Sequence, residues 1–341
     1  MDNNPIRLRR QKLKKPFRTY RQQLKILRER NLICDNGSRA VKILKRENYY
    51  NIINGYKEIF LNKSSPVEKF KDNISIEDIY ALYQFDRNLR SIILKNILCV
   101  ETFLKSLVAY YFEQAYQTSF SYLDINNFSA KNIQETTSLI SRLSSEIQKN
   151  TERIRPNQSP TSPFLHYLSK YQELPMWVLV KKLTLGEIVH FYKNLEPKIQ
   201  LQILEEFCRN YKSEYSYEYF PCDFDIKKFC AMLSFLNEFR NICAHEDRLY
   251  DHLLKTRNHQ IPQISYFFMK HPLQFKSLVF DVFLIMGFFL TKKDYRTLRN
   301  DIAAEVNQLQ NELPTQIMNN VLIKMGMRKT WKSDLEYFKE N

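Results

Sequence analysis

Arg240 and His245 are the pair of residues in this chain whose types and spacing could do chemistry together. They stand in the run Leu236-Asn237-Glu238-Phe239-Arg240-Asn241-Ile242-Cys243-Ala244-His245-Glu246-Asp247-Arg248-Leu249-Tyr250. A histidine, with an ordinary pKa near 6.5, can give or take a proton at neutral pH. An arginine stays charged and presents a planar fork of donors that fits phosphate or carboxylate oxygens. Five residues correspond to roughly 140° around a helix, so a short side chain at 240 could not share a target with His245, whereas arginine can bend round to it. The spacing alone favours a structural role: Asn241 and His245 as hydrogen-bonded helix residues, with Arg240 in an ion pair with Glu238 or Glu246.

The element that would carry these residues is an apolar helical run starting near Asp225. Phe229, Leu233, Leu236 and Phe239 recur at steps of three and four and mark one face as core. Glu238, Asn241, His245 and Arg248 recur at the same steps on another face.

Arg240-Asn241-x-x-x-His245 resembles the catalytic motif of HEPN-domain ribonucleases. The fuller Arg-Asn-Ile-Cys-Ala-His-Glu-Asp-Arg-Leu-Tyr resembles the Abi-like family of bacterial abortive-infection proteins, the AbiD/AbiF group. It is closer to the AbiF branch, because the acidic pair Glu246-Asp247 precedes Arg248. Three other segments are similar to that family. One is a Lys-Pro start followed by a short helix, a turn, Asn48-Tyr49-Tyr50 and Gly55-Tyr56. The second is Leu82 to Arg90, and the third is Leu185-Gly186-Glu187-Ile188-Val189-His190-Phe191-Tyr192. The resemblance runs over about residues 15–255.

The resemblance implies a metal-independent endoribonuclease with no cofactor, acting as an antiphage abortive-infection toxin. Its catalytic residues would be Arg240 and His245, supported by Glu238, Asn241 and Arg248, at a cleft between two HEPN domains. RNA brings its own nucleophile, the 2′-OH; cleavage needs a base, an acid and positive charge on the phosphorane. One histidine cannot be acid and base at once, so a homodimer is chemically sensible. For AbiF-like members a structured non-coding RNA is the implied antitoxin. A non-catalytic HEPN module that binds RNA or protein is the alternative function.

Charge points to the same class of partner. Net charge is +15, and residues 1–46 carry 15 Lys/Arg against 3 Asp/Glu. A localised basic segment predicts a polyanion partner, with Lys12, Lys14, Lys15, Arg18, Arg21, Lys25 and Arg28 as the RNA-binding residues. The stretch from Lys12 to Arg30 lacks the broad apolar face of an interfacial helix, so no membrane partner is expected.

The remaining sequence bounds the fold. Apolar residues make up 44% of the chain, and with only 5 Gly and 12 Pro a β-sandwich is disfavoured. Cysteines at 34, 99, 208, 222, 230 and 243 form no Cys-x2-Cys pair, so the reading is reduced thiols, no metal site and a cytoplasmic protein. The first 30 residues contain no apolar run of the kind a signal peptide needs. There is no Gly-rich phosphate loop, no Gly-x-Ser-x-Gly and no His-Glu-x-x-His.

The expected fold is all-α: a HEPN-like helical bundle with an additional N-terminal helical region. The expected organisation is a basic flexible arm at 1–15, an N-terminal helical region at 16–155 and a HEPN-like domain at 156–341, separated by a Pro-rich linker at 155–163. Thr19-x-x-Gln22 reads as a capping box before a helix that buries Tyr20, Leu24 and Leu27. Ser38 reads as the cap of the next helix. Ser75-x-x-Asp78 opens the longest helical tract, in which Asp86 and Arg90 read as a helix-stabilising i, i+4 pair. Trp177 falls among the apolar residues of a helix after Pro175. His190 reads as a packed or surface histidine. Tyr211, Tyr215, Tyr217 and Tyr219 read as a Tyr-rich loop whose rings pack or stack on bases. Pro314 and Gly326 bracket a late helix.

Overall fold

A computed structural model describes residues 16–151, 162–215, 225–254 and 276–335. Lys12, Lys14 and Lys15 of the basic arm, most of the expected linker, and Tyr217 and Tyr219 lie outside them. The described residues form helices with two isolated β-bridges and no strand, so the fold is all-α as expected. The chain divides into two compact units between Gln84 and Phe85.

In the first unit α1 (Tyr20–Glu29) packs on α2 (Gly37–Glu47). The Thr19 hydroxyl accepts from the Gln22 amide while the Gln22 side chain accepts from the Thr19 amide, which forms the expected capping box. Leu24 and Leu27 are buried, but Tyr20 is 41% exposed, because it sits in the first turn before the helix reaches the core. The cap of α2 is Asn36, two residues earlier than Ser38, since the Asn36 side chain accepts from the Arg39 amide. Parallel pairing at Ile33 and Ser75 and antiparallel pairing at Leu61 and Phe70 tie the loops that follow. Ser75 and Asp78 cap α3 (Ile76–Ala115) through three reciprocal hydrogen bonds.

The second unit holds the rest of α3 and α4 (Ile133–Thr151), α5 (Pro163–Tyr171), α6 (Met176–Leu179), α7 (Leu185–Asn194), α8 (Pro197–Tyr215) and α9 (Ile226–Ala244). It ends with α10 (Val279–Phe289), α11 (Lys292–Glu312), α12 (Thr315–Met325) and α13 (Trp331–Leu335). Every residue of α10 is buried, which makes it the core helix. Tyr211 and Tyr215 lie in α8, with both rings buried, so the packing reading holds for those two. Pro314 and Gly326 do bracket α12, and Gly326 adopts φ +86° at its C-cap.

Three neighbours fix α9, namely α7, α8 and α10. Phe229 of α9 meets Phe207 of α8 and Phe289 of α10, with ring centroids 5.1 and 5.7 Å away. On the α7 side Gly186 approaches Asn237, where an added Cβ would come within 3.2 Å of the Asn237 side chain. That contact gives the Leu185-Gly186-Glu187 segment a physical reason: the missing side chain lets two helices close together. Phe229, Leu233, Leu236 and Phe239 are fully buried, so the apolar face read from the sequence is the core face.

Candidate functional site

The helix carrying Arg240 ends at His245. Asp225 caps its start by accepting from the Lys228 amide. At the other end His245 is the C-cap residue, its amide bonded to the Asn241 carbonyl at 2.9 Å. Glu246 then adopts φ +59°, and the Asp247 amide reaches back to the Ile242 carbonyl at 3.1 Å. This is a Schellman turn in which glutamate occupies the left-handed position usually held by glycine. A non-glycine residue there costs about 1–2 kcal/mol, so something else must hold the turn.

What holds it is the pair Asp86 and Arg90 of α3. Asp86 is fully buried and Arg90 is 5% exposed. The Asp86 carboxylate accepts from Arg90, from the Leu249 amide at 3.1 Å and from the Tyr250 amide at 2.6 Å. Arg90 donates also to the Asp247 carbonyl at 3.2 Å. The ion pair is therefore more than an intrahelical brace. It joins the 82–90 segment to the residues just after His245, across more than 150 positions of sequence.

Within this frame the side chains separate by burial. His245 is exposed at the helix end, and its imidazole has no hydrogen-bond partner among the described residues. Arg240 is half-buried, and makes no ion pair with Glu238 or Glu246. Its Nη1 lies 3.5 Å from the Asn241 Oδ1, and its Nε is buried with no hydrogen-bond partner among the described residues. An unpaired buried N–H on a permanent charge is costly, and it calls for an explanation. Glu238 and Asn241 are half-buried. Arg248 turns away to Asp251, at 2.7 Å, which it shares with Lys324 of α12 at 3.0 Å. Both cations lie near the face of the Tyr250 ring.

One further group is excluded as a reactive centre. Cys243, inside the motif, is 6% exposed, and burial pushes its thiol up to about 12, so it is a packed apolar group rather than a nucleophile. His252 contacts the Phe239 ring, and burial lowers its pKa against the opposing pull of Asp251, Asp247 and Glu238. His190 bonds to Glu135 at 2.8 Å, as a surface histidine would. Among the described residues no group of three or more His, Cys, Asp or Glu is arranged to hold a metal ion. No described helix is long and apolar enough to cross a membrane.

Sequence reasoning missed Asp251 and Lys324. Asp251 was hidden because its role depends on the turn geometry. Lys324 lies some 75 residues on, in a helix with no motif of its own. Of the expected RNA-binding residues, the four that are described, Arg18, Arg21, Lys25 and Arg28, are all exposed. Arg28 is engaged with the Cys34 carbonyl at 2.6 Å and Lys25 lies 3.9 Å from Glu29, which leaves Arg18 and Arg21 as the more available pair.

Comparison with known proteins gives one positive finding. The sequence model of the Abi-like protein family matches residues 42–251, which take in both the 82–90 segment and the Arg240–Tyr250 run. Neither the curated proteins nor the solved structures give a match.

Proposed function

The chain belongs to the family of Abi-like proteins, and from that premise we propose that it is a metal-independent HEPN-type endoribonuclease, an antiphage abortive-infection toxin of the AbiF kind. The observation that carries this reading is Arg240. It is a half-buried guanidinium whose Nε has no hydrogen-bond partner and which makes no ion pair among the described residues, close in sequence to an exposed histidine on a pinned turn. A phosphodiester would supply the missing acceptor and counter-charge.

In the proposed reaction the RNA 2′-OH attacks the adjacent phosphorus. A base takes the 2′-OH proton, the P–O5′ bond breaks, and an acid protonates the departing 5′-oxygen. Arg240 holds the non-bridging oxygens as negative charge grows on them. His245 transfers one of the two protons, and His245 of a second copy transfers the other. The product strands then end in a 2′,3′-cyclic phosphate and a 5′-OH. Asn241 orients Arg240, Glu238 adds negative charge to the site, and Arg248 supports the turn through Asp251. A structured non-coding RNA is the proposed antitoxin.

Purified protein on unstructured RNA, with both product ends mapped, tests the reaction. Cyclic phosphate ends that persist in EDTA are the expected result; complete loss of cleavage in EDTA would overturn it. Light scattering at micromolar concentration should give about twice the 41.2 kDa chain mass. A monomer that cleaves at full rate and is indifferent to dilution would contradict the two-copy site. Failure to cleave, after any bound inhibitory RNA is stripped away, with tight RNA binding intact, would favour the binding-only module.

The basic segment is proposed to supply RNA affinity. Changing Lys14, Lys15, Arg18 and Arg21 to alanine should weaken binding and leave folding unchanged. Each lost phosphate contact should flatten the log–log salt dependence by about 0.7 for a single strand. An unchanged slope would mean that these residues are merely solvated.

A further inference from the structure

Trp177 does not behave as its sequence context suggests. The residues around it, Met176, Val178, Leu179 and Val180, are buried, yet the Trp177 ring is 53% exposed. Across a cavity of about 890 Å³ it faces α3, where Tyr110 is 61% exposed. Tyr110 meets Tyr111 in a T-shaped pair, with ring centroids 5.1 Å apart. Two large aromatic rings left in water at one cavity are unusual and mark a binding surface. The volume lies in the ~300–1,000 Å³ range of small-ligand sites.

The rest of the lining selects the ligand. Lys105, Lys181, Gln114 and Gln117 share the cavity with the two rings. Lys105 is paired with Glu101 at 2.6 Å, and the Glu113 carboxylate is occupied by the Met176 amide. Lys181 is exposed and makes no ion pair or hydrogen bond among the described residues. An apolar protein segment laid here would desolvate a lysine and two side-chain amides without replacing their hydrogen bonds. An unpaired nucleotide satisfies all three kinds of group. Its base stacks on an aromatic face, the base edge exchanges hydrogen bonds with the glutamine amides, and its phosphate meets the lysine.

We propose that this trough is a binding site for the unpaired bases of single-stranded RNA. It is separate from the Arg240–His245 site. Asp86, which pins the His245 turn, and Tyr110 lie on the same helix, 24 residues apart in sequence, or roughly 36 Å at 1.5 Å per residue. A short oligonucleotide can therefore fill the trough without reaching His245. The site goes beyond the proposed ribonuclease activity and does not depend on it.

The chain contains two tryptophans, and Trp331 is 5% exposed, so Trp331→Phe leaves Trp177 as the only tryptophan reporter. The probe is a 2′-O-methyl oligoadenylate of roughly eight nucleotides, which offers no 2′-OH nucleophile and lies within the ~4–16 nucleotides a single-strand groove covers. Titration should quench Trp177 emission saturably and shield it from acrylamide. In the full chain, Trp177→Ala should weaken binding of the labelled probe about tenfold, as expected for the loss of one stacked base. Tyr110→Ala should do so by a similar factor. Lys181→Ala, which removes no packed ring, should flatten the salt dependence by about 0.7. Probe binding that saturates with Trp177 emission unmoved and all three variants unaffected would overturn the proposal. So would no probe binding, equal competition by blunt duplex RNA, or shielding of Trp177 by protein concentration alone, which would mean that a second copy covers the trough. A protein that shows the quenching and never cleaves RNA keeps this site and loses the ribonuclease reading; cleavage without quenching does the reverse.

Discussion

His245→Ala is expected to reduce RNA cleavage by about 10²–10⁴-fold, the usual contribution of a positioned proton-transfer group, and to leave RNA affinity unchanged. The separation follows from where His245 sits. It is exposed at the end of α9 and contributes its amide to the helix, while its imidazole has no hydrogen-bond partner among the described residues. Removing the ring therefore costs little stability. Arg240→Ala should be comparably inactive, because the phosphorane loses its counter-charge. Arg240→Lys should rescue poorly, since an ammonium cannot reproduce the planar fork. Asn241→Ala should be milder, because Asn241 touches Arg240 only at 3.5 Å. Single-turnover cleavage by the four variants beside the parent, with unfolding curves for each, checks the series. Equal cleavage by the parent and His245→Ala would refute the mechanism.

The candidate residues of this site were more legible than the contacts that hold them. Arg240 and His245 could be picked out because a motif is a local pattern, and the apolar face of α9 because burial follows helical period. The caps at Thr19, Ser75 and Pro314 were legible for the same reason, as each depends on residues within one turn. Asn36 rather than Ser38 caps α2, because either residue type can cap and the choice is set by where the preceding turn points the chain. The exposure of Trp177 was not legible, because periodicity identifies a helix without saying which neighbours cover each face; α6 is only four residues long and leaves one side chain uncovered. Asp86 and Arg90 were visible as a pair four residues apart. Their hydrogen bonds to Asp247, Leu249 and Tyr250 were not, because a side-chain bond to a distant backbone amide leaves no mark on sequence spacing.

That hidden contact carries the largest expected effect on stability. Asp86→Ala would leave the Arg90 guanidinium buried without this carboxylate and would strip the acceptor from the Leu249 and Tyr250 amides. Removing one partner of a buried pair typically costs about 3–5 kcal/mol, a large share of the ~5–15 kcal/mol that holds a domain folded. Arg90→Ala should cost less than Asp86→Ala. It removes the cation beside a carboxylate that still accepts from the two amides, and it takes one donor from the Asp247 carbonyl. Asp86→Leu with Arg90→Leu removes both charges, so the double variant should be less destabilised than the two single losses added together. Even so, it should not regain full stability, because two buried amides remain unbonded. The local signature is specific. Hydrogen exchange at Leu249 and Tyr250 should accelerate in Asp86→Ala more than exchange in the middle of α9, since the turn loses its tether before the helix melts. Urea unfolding and residue-resolved exchange measure both parts. An unshifted urea midpoint with those two amides still protected would mean that the turn is held by something other than Asp86. The cleavage consequence follows from the strained Glu246 residue. Without Asp86 the left-handed turn has less to hold it in place, and Asp86→Ala should lose activity even at temperatures where it remains folded, by freeing the turn that carries His245 rather than by touching RNA.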